Sequence, residues 1–363
     1  MIKTHKTASS TLAAILNRLV DWRGLRKMVP GPGDKLSGPH FLGWPGDFPG
    51  LHQPLPSHQF DVIDNHAVLA HKEMQAFMRA DSFFFSILRK PASRLVSAFN
   101  YFPVSTHPNQ AATWDEMVRA LEALRKKPCR KKSCAHFRNS MAHDLGWYRA
   151  TNYSTKHDSD PSRIAAWVAE LEQTLDLVML VERLDEGLLL LRELLGLALV
   201  EIVYLPIKTS TEEHSEATPQ FPTPQQEREL QSGLQVDTAL YDHFSTRFDS
   251  QWLAALAARP SLEADLDTLR CLNARLAEDC ACQQPEMQAG CASDSLVGIG
   301  GSLAHSGCSR ALLTDSVEYT KKLRVQSGFA QKLGHADTRE RHVKLPSERV
   351  RARARTTLNL GVQ

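Results

Sequence analysis

Long apolar segments are missing from this chain of 363 residues, which limits the classes of protein to which it can belong. A transmembrane helix needs about 18 or more consecutive residues with few or no charges. The best candidate, residues 187–205, is interrupted by Arg192, Glu193 and Glu201. That segment is more typical of a buried helix that continues into a strand, and the first residues do not resemble a signal peptide. We therefore expect no membrane span within the chain as written.

An excess of charge of one sign is missing as well. Lys and Arg total 43 and Asp and Glu total 41, so the formal net charge is only +2. Such a chain is not a general polyanion binder, and we expect no nucleic-acid partner. Residues 125–132 form one local basic cluster, which we interpret as a solvated loop, with recognition of an anionic ligand as the alternative.

The seven cysteines lack the spacing of a zinc site. Cys280 and Cys282 are separated by one residue, whereas zinc ligands usually have roughly two to four between them. We therefore predict no metal site and favour disulfides in an oxidising compartment over free thiols. Asn152-Tyr153-Ser154 is a glycosylation sequon, which has meaning only in a secretory protein.

Apolar runs alternate along the chain with segments of helical periodicity. Strands are predicted at residues 60–63, 82–88, 177–182 and 202–205. Helices are predicted at residues 8–22 and 72–78, from Pro91 onward, and at residues 114–124, 164–175, 184–197, 225–232, 237–256 and 261–282. This alternation predicts an α/β fold, in which a central parallel sheet is flanked by helices in a P-loop-like three-layer sandwich.

Composition divides the chain into three parts. We expect an α/β domain over residues 1–258, then a helical, cysteine-containing extension over residues 259–326. Residues 327–363 are basic and poor in large apolar side chains, which predicts a disordered tail. The long Gly- and Pro-rich loop at residues 30–56 is a candidate functional segment, because long loops in compact domains often carry function.

The segment from Lys3 to Thr11 has the layout of an anion site. It opens a helix whose apolar face begins at Leu12. The first turn of a helix carries unpaired N–H groups and the positive end of the helix dipole, both of which attract phosphate. Lys6 adds a mobile positive charge, and the three hydroxyl residues at positions 9–11 add donors. The alternative interpretation is a serine-capped helix with solvated lysines.

Two further polar motifs follow predicted strands. Asn65-His66 follows one strand, and Arg89 follows another, with Arg94 and Ser97 on the next helix. Ligands of parallel sheets bind at the carboxyl ends of strands, so these motifs should meet the Lys6 segment in one crevice. Two cationic groups suggest a ligand with two phosphates, such as a nucleotide 3′,5′-bisphosphate. His66 is then a candidate general base, although a single histidine is more often structural.

A P-loop kinase fits this pattern less well. The chain has no glycine between Met1 and Arg23, so the glycine-rich phosphate loop of such enzymes is absent. A kinase also needs a carboxylate for magnesium, and only Asp61 and Asp64 are placed for that role.

At these residues the chain resembles a known family. The run K-T-H-K-T-A-S-S-T is similar to the 5′-phosphosulfate motif of the galactose-3-O-sulfotransferase family of Golgi carbohydrate sulfotransferases. Residues 85–101 resemble that family's 3′-phosphate motif, and residues 60–66 resemble its strand that ends in Asn-His. With further similar blocks toward the C-terminus, the resemblance covers about residues 2–326.

The resemblance implies a role for each motif residue. The donor would be 3′-phosphoadenosine-5′-phosphosulfate (PAPS), with its 5′-phosphosulfate held by Lys3, Lys6, Thr7, Ala8, Ser9, Ser10 and Thr11. Arg89 and Ser97 would hold the 3′-phosphate, and His66 would deprotonate the acceptor hydroxyl. Lys6 would also be catalytic, because a lysine beside the leaving phosphate stabilises the charge that develops there. No metal is required by this scheme.

The resemblance also implies an acceptor and a location. The acceptor would be the 3-OH of a galactose in a glycolipid or glycan, and homo-oligomers are possible. The family consists of type II membrane proteins of the Golgi, whereas the chain as written contains no anchor. Only Met1 and Ile2 precede Lys3, so we expect the first strand of the sheet to be cut short. A truncated or inactive relative that only binds nucleotide or glycan is the alternative.

Overall fold

The computed structural model describes residues 1–29, 42, 44, 60–79, 81–124, 131–205, 221–231 and 233–281. Several sequence predictions lie wholly or mostly outside these residues. They are the functional loop at 30–56, most of the basic cluster at 125–132, the end of the extension at 282–326, and the tail at 327–363.

Two short strands form the sheet. β1 (Phe85–Leu88) and β2 (Leu177–Leu180) are parallel, with Phe85 opposite Leu177 and Leu88 opposite Leu180. Every residue of both strands is buried, as the nearly unbroken apolar runs require. Ile2 adds a single parallel bridge to Ser86, whose hydroxyl donates to the carbonyl of Ile2 at 2.9 Å.

The sheet is smaller than predicted, because two of the four predicted strands are not strands. Residues 60–63 form only isolated bridges, Phe60 with Met78 and Val62 with Lys27. Residues 202–205 form no ladder, since the N–H of Tyr204 donates to the side-chain oxygen of Asn273 at 2.9 Å instead of to a strand. The described part of the chain is therefore a helix-rich α/β structure with a small parallel sheet.

Helices make up most of the described residues, and the predicted helices are confirmed. They are α1 (Ser9–Arg23), α2 (His71–Phe77), α3 (Pro91–Tyr101), α4 (Trp114–Leu124), α5 (Lys132–Phe137), α6 (Ser140–Asp144), α7 (Trp147–Ala150), α8 (Pro161–Thr174), α9 (Leu184–Leu195), α10 (Pro224–Gln231), α11 (Gln235–Ala258) and α12 (Leu262–Ala281). α3 and α8 begin with proline, which fits the first turn of a helix. Among these helices, none combines the length and the apolar character that a membrane crossing demands.

The chain divides into two compact units. The first contains Met1–Ser9, Lys27–Arg183 and Lys208–Asp249, and thus both strands. The second contains Ser10–Arg26, Leu184–Ile207 and the chain from Ser250 onward. Within the second unit α9 packs against α12, and Arg192 pairs with Asp265 at 2.7 Å.

A buried carboxylate organises the polar interior of the first unit. Asp158 accepts hydrogen bonds from Arg138 Nε, Trp147 Nε1 and Tyr148 Oη, each at 2.8 Å. All four side chains are almost completely buried. Because a buried charge is stable only when it is paired and hydrogen-bonded, these contacts make Asp158 a structural residue.

Asp158→Asn is expected to lower the free energy of unfolding by about 2 kcal/mol, because it leaves the Arg138 charge without its counter-ion. Urea denaturation followed by circular dichroism measures the change. The control is Asp267→Asn, whose side chain is 83% exposed and which should change stability little. Equal effects of the two substitutions would show that the Asp158 contacts do not stabilise the fold.

Candidate active site

The segment immediately before α1, residues 3–8, has an unusual backbone. Lys6 and Ala8 have φ angles of 62° and 55°, in the left-handed region that residues other than glycine seldom adopt. Such strained conformations cluster at functional sites. Alternation of left- and right-handed residues turns successive N–H groups toward one point, which makes a concave anion-binding site. The backbone of residues 6–9 is therefore suited to a phosphate, in the place where a P-loop uses glycines.

Internal hydrogen bonds hold this segment in shape. The hydroxyl of Thr4 donates to the carbonyl of Ile87 in β1 at 2.5 Å and lies 2.6 Å from the hydroxyl of Thr7. The hydroxyl of Ser9 donates to the carbonyl of Thr4 at 2.6 Å. Thr7 and Ser9 thus use their side chains to shape the loop. Their contribution to an anion site would come from their main-chain N–H groups.

Lys6 and Arg89 lie next to each other. Arg89 Nη1 is 3.5 Å from the carbonyl oxygen of Lys6. The ammonium of Lys6 lies over the ring of Tyr101, 3.4 Å from its centroid, and Tyr101 is 48% exposed. The structure therefore brings together the two cationic motifs that are 83 residues apart in the sequence. The pKa of Arg89 is lowered by burial, which Glu182 opposes.

α3 carries two of the predicted residues to different places. Ser97 is half-buried on this helix. Arg94 is completely buried and donates to the main-chain carbonyls of His136 and Phe137 at the end of α5. Burial lowers the pKa of Arg94 to about 10, so it stays cationic at neutral pH. Arg94 therefore supports the fold through α5, although it lies close enough to Arg89 for that charge to lower its pKa.

His66 is held by the same segment. Its Nδ1 is 3.1 Å from the carbonyl oxygen of Lys3, so Nδ1 carries the proton of the neutral ring and Nε2 is the basic nitrogen. Burial, followed by the charges of His5 and Lys3, lowers the pKa of His66 well below its ordinary value. His66 is therefore neutral at physiological pH, which is the state that a general base requires.

Two residues beside His66 are not found by the sequence reasoning. The ring of His5 stacks on the ring of His66, with centroids 3.8 Å apart, and the buried carboxylate of Asp144 lies 3.0 Å from His5 Nδ1. The position of His5 inside the lysine motif is a signal in the sequence. Asp144 has no such signal, because it is 139 residues away from His5 in the chain.

Among the described residues, no group of three or more His, Cys, Asp or Glu side chains is arranged to hold a metal ion. Cys134 and Cys280 each take part in a disulfide bond, and Cys271 is a free, exposed thiol.

The chain is similar to a family of known proteins. The family model for galactose-3-O-sulfotransferase matches residues 1–294. The chain is 29% identical over 281 residues to galactose-3-O-sulfotransferase 2 of Mus musculus. The matched region covers 74% of this chain and 66% of that protein. The chain is also 28% identical over 287 residues to galactosylceramide sulfotransferase of Homo sapiens, with coverage of 77% and 63%. The chain thus spans about two thirds or less of the length of these two relatives. No solved structure matches.

Proposed function

This chain belongs to the galactose-3-O-sulfotransferase family, and on that premise we propose that it is a carbohydrate sulfotransferase that uses PAPS as donor. The acceptor would be a sugar hydroxyl, the 3-OH of a galactose in a glycolipid or glycan. The observation that carries the proposal is the contact between Arg89 and the carbonyl of Lys6. It supports the proposal because a nucleotide 3′,5′-bisphosphate needs a cation at each of its two phosphate ends.

The reaction is an in-line displacement at sulfur. The acceptor oxygen bonds to sulfur, the bond from sulfur to the phosphate oxygen breaks, and the hydroxyl proton passes to Nε2 of His66. Negative charge grows on the leaving 5′-phosphate, where Lys6 and the N–H groups of residues 7–11 would stabilise it. Lys6 would exchange its contact with Tyr101 for the phosphate when the donor binds. Ser97 would join Arg89 at the 3′-phosphate.

Turnover with a panel of galactosides tests the proposal. The protein is incubated with PAPS, and 3′-phosphoadenosine-5′-phosphate (PAP) is measured by chromatography with and without acceptor. Acceptor-dependent release of PAP is expected, and it should persist in EDTA. PAP binding without any acceptor-dependent release would favour the alternative, a relative that binds nucleotide or glycan only. Magnesium-dependent phosphate transfer would favour a kinase.

His66→Asn is expected to lower kcat by about 10²–10⁴-fold, the usual contribution of a general base. PAP binding should be retained, because His66 is not assigned to the nucleotide. His71→Asn, an exposed histidine at the start of α2, is the control for kcat. The active form of His66 is the neutral one, and its pKa is lowered, so wild-type activity should not fall between pH 7.5 and about pH 6.5, the ordinary histidine pKa. Full activity of His66→Asn would remove His66 from the mechanism.

The wider architecture is also proposed from family membership. We propose that the small sheet is the centre of a P-loop-like three-layer sandwich and that the α/β domain covers residues 1–258. A helical, cysteine-containing extension over 259–326 and a basic tail over 327–363 would follow. We further propose Golgi residence, which the disulfides of Cys134 and Cys280 support because disulfides persist in oxidising compartments.

Glycosylation at Asn152 tests the compartment. Asn152 is exposed in a surface turn and begins the sequon Asn152-Tyr153-Ser154. Protein from the secretory pathway of eukaryotic cells is expected to lose mass on treatment with an N-glycosidase, and Asn152→Gln should abolish that loss. Asn109→Gln is a matched control, because Asn109 is also exposed with a left-handed backbone and lies outside any sequon. A glycosidase-insensitive secreted protein would contradict the assignment.

A further inference from the structure

Asp144, the last residue of α6, is a buried carboxylate that the proposed reaction does not use. Its Oδ2 accepts the main-chain N–H of His5 at 2.8 Å and lies 3.0 Å from His5 Nδ1. Its Oδ1 accepts the indole N–H of Trp44 at 2.7 Å. The residue has no exposed surface, and such burial is tolerated only with charge-assisted hydrogen bonds of this kind. The carboxylate thus fixes both the backbone and the ring of His5.

His5 in turn lies flat against His66. Their ring planes differ by 16° and their centroids are 3.8 Å apart. The carbonyl of Lys3 contacts Nδ1 at the edge of the His66 ring, and the ring of His5 covers one face. Residues 3–5 therefore fix the orientation of His66. Asp144 also fixes the chain that follows His66, because its carbonyl accepts the N–H of Leu69 at 2.8 Å.

We propose that Asp144 is a positioning residue for His66 and that it acts through the stacked ring of His5. The inference rests on the proposed function, in which His66 is the base. Asp144 holds the plane of the His5 ring, and that plane sets the orientation of the imidazole that receives the proton. The arrangement differs from a serine-protease triad, in which the carboxylate accepts a hydrogen bond from the base itself. Here Asp144 contacts His5, and His5 stacks on the base, His66.

Electrostatics give the proposal a measurable consequence. The groups that act on His66 are His5, Lys3 and His136, and each lowers the pKa of His66 through its charge, in addition to burial. The hydrogen bond to the carbonyl of Lys3 raises that pKa in part, but burial and these charges outweigh it. The Asp144 carboxylate lies 3.0 Å from His5 Nδ1 and fixes the ring of His5 against His66. Without that contact the ring of His5 is free to move away from His66, so one cause of the lowered pKa of His66 weakens and that pKa rises.

Asp144→Asn is the test, with the pKa of His66 read by NMR titration of its ring and the acid limb of kcat/KM read in parallel. Both should move to higher pH by about one unit, the order of the effect expected when a like charge moves away from a titrating group. The acid limb of kcat/KM moves in the same direction as the pKa of His66, because neutral His66 is the active form. Asp158→Asn is the matched control. It also neutralises a buried carboxylate that accepts an indole N–H, but the partners of Asp158 are Arg138, Asn139, Trp147 and Tyr148.

His5→Phe covers the case in which Asp144→Asn does not fold. Phenylalanine keeps a flat ring against His66 and the main-chain bond to Asp144, but it carries no charge. The same upward shift is expected, with no further shift when Asp144→Asn is added. An unchanged titration in both variants, or an equal shift in Asp158→Asn, would overturn the proposal. If wild-type protein transfers no sulfate, the proposed function fails, while the NMR titration still decides whether Asp144 acts on His66.

Discussion

Lys6→Met is expected to lower the rate of sulfuryl transfer by about 10²–10³-fold, the loss typical of removing one donor to a developing oxyanion. Methionine keeps most of the length and the apolar character of the lysine stem and also has a Cβ, so the left-handed backbone of this residue gains no new strain. What the variant loses is the ammonium, which would meet the leaving 5′-phosphate as its charge grows. The measurement is kcat at saturating donor and acceptor.

The matched control for Lys6 is Lys72→Met, an exposed lysine on α2 that should keep full activity. Both variants should melt at the wild-type temperature without ligand. The melting temperature of Lys6→Met should rise less with added PAP than that of the wild type, because a cation at the 5′-phosphate is gone. Wild-type kcat in Lys6→Met would separate this lysine from the chemistry.

Arg89→Gln should weaken the binding of PAP by about 10–100-fold, the worth of charge-assisted hydrogen bonds to a phosphate. Binding of adenosine 5′-monophosphate, which has no 3′-phosphate, should be unchanged. The wild type should therefore prefer PAP, and the variant should lose that preference. Isothermal titration calorimetry of both nucleotides measures the difference.

Arg79→Gln is the control for Arg89, because Arg79 is a more exposed arginine that pairs with Asp81 at 3.3 Å away from the proposed site. It should bind both nucleotides as the wild type does. An Arg89→Gln variant that loses equal affinity for PAP and for adenosine 5′-monophosphate would contradict its assignment to the 3′-phosphate.

Local sequence determines much of the helical part of this fold. α4 begins at Trp114 and ends at Leu124, as its periodicity predicts, because apolar residues at helical spacing need only one buried face. Strands depend on partners that are distant in the chain. The apolar residues near Val62 form a bridge with Lys27 instead of a ladder, and Asp64 pairs with Lys27 at 2.6 Å. No local pattern contains that information.

The same distinction applies to the site. Lys6 and Arg89 are recognisable because each closely precedes a helix, where anions bind, and Arg89 also follows an apolar strand. Asp144 is not recognisable, because its role comes from contacts with His5 and Trp44, which are 139 and 100 residues away. It also lies between residues 131 and 150, where short helices follow one another without a strong periodic pattern.

The crystal structure of the protein with bound PAP tests the central claim most directly, that Lys6 and Arg89 mark two ends of one donor site. The account predicts the 5′-phosphate on the N–H groups of residues 7–11, with the ammonium of Lys6 moved from Tyr101 to the phosphate. It predicts the 3′-phosphate within hydrogen-bond distance of Arg89 and Ser97. A nucleotide bound elsewhere, or bound with its two phosphates exchanged between these groups, would contradict the account.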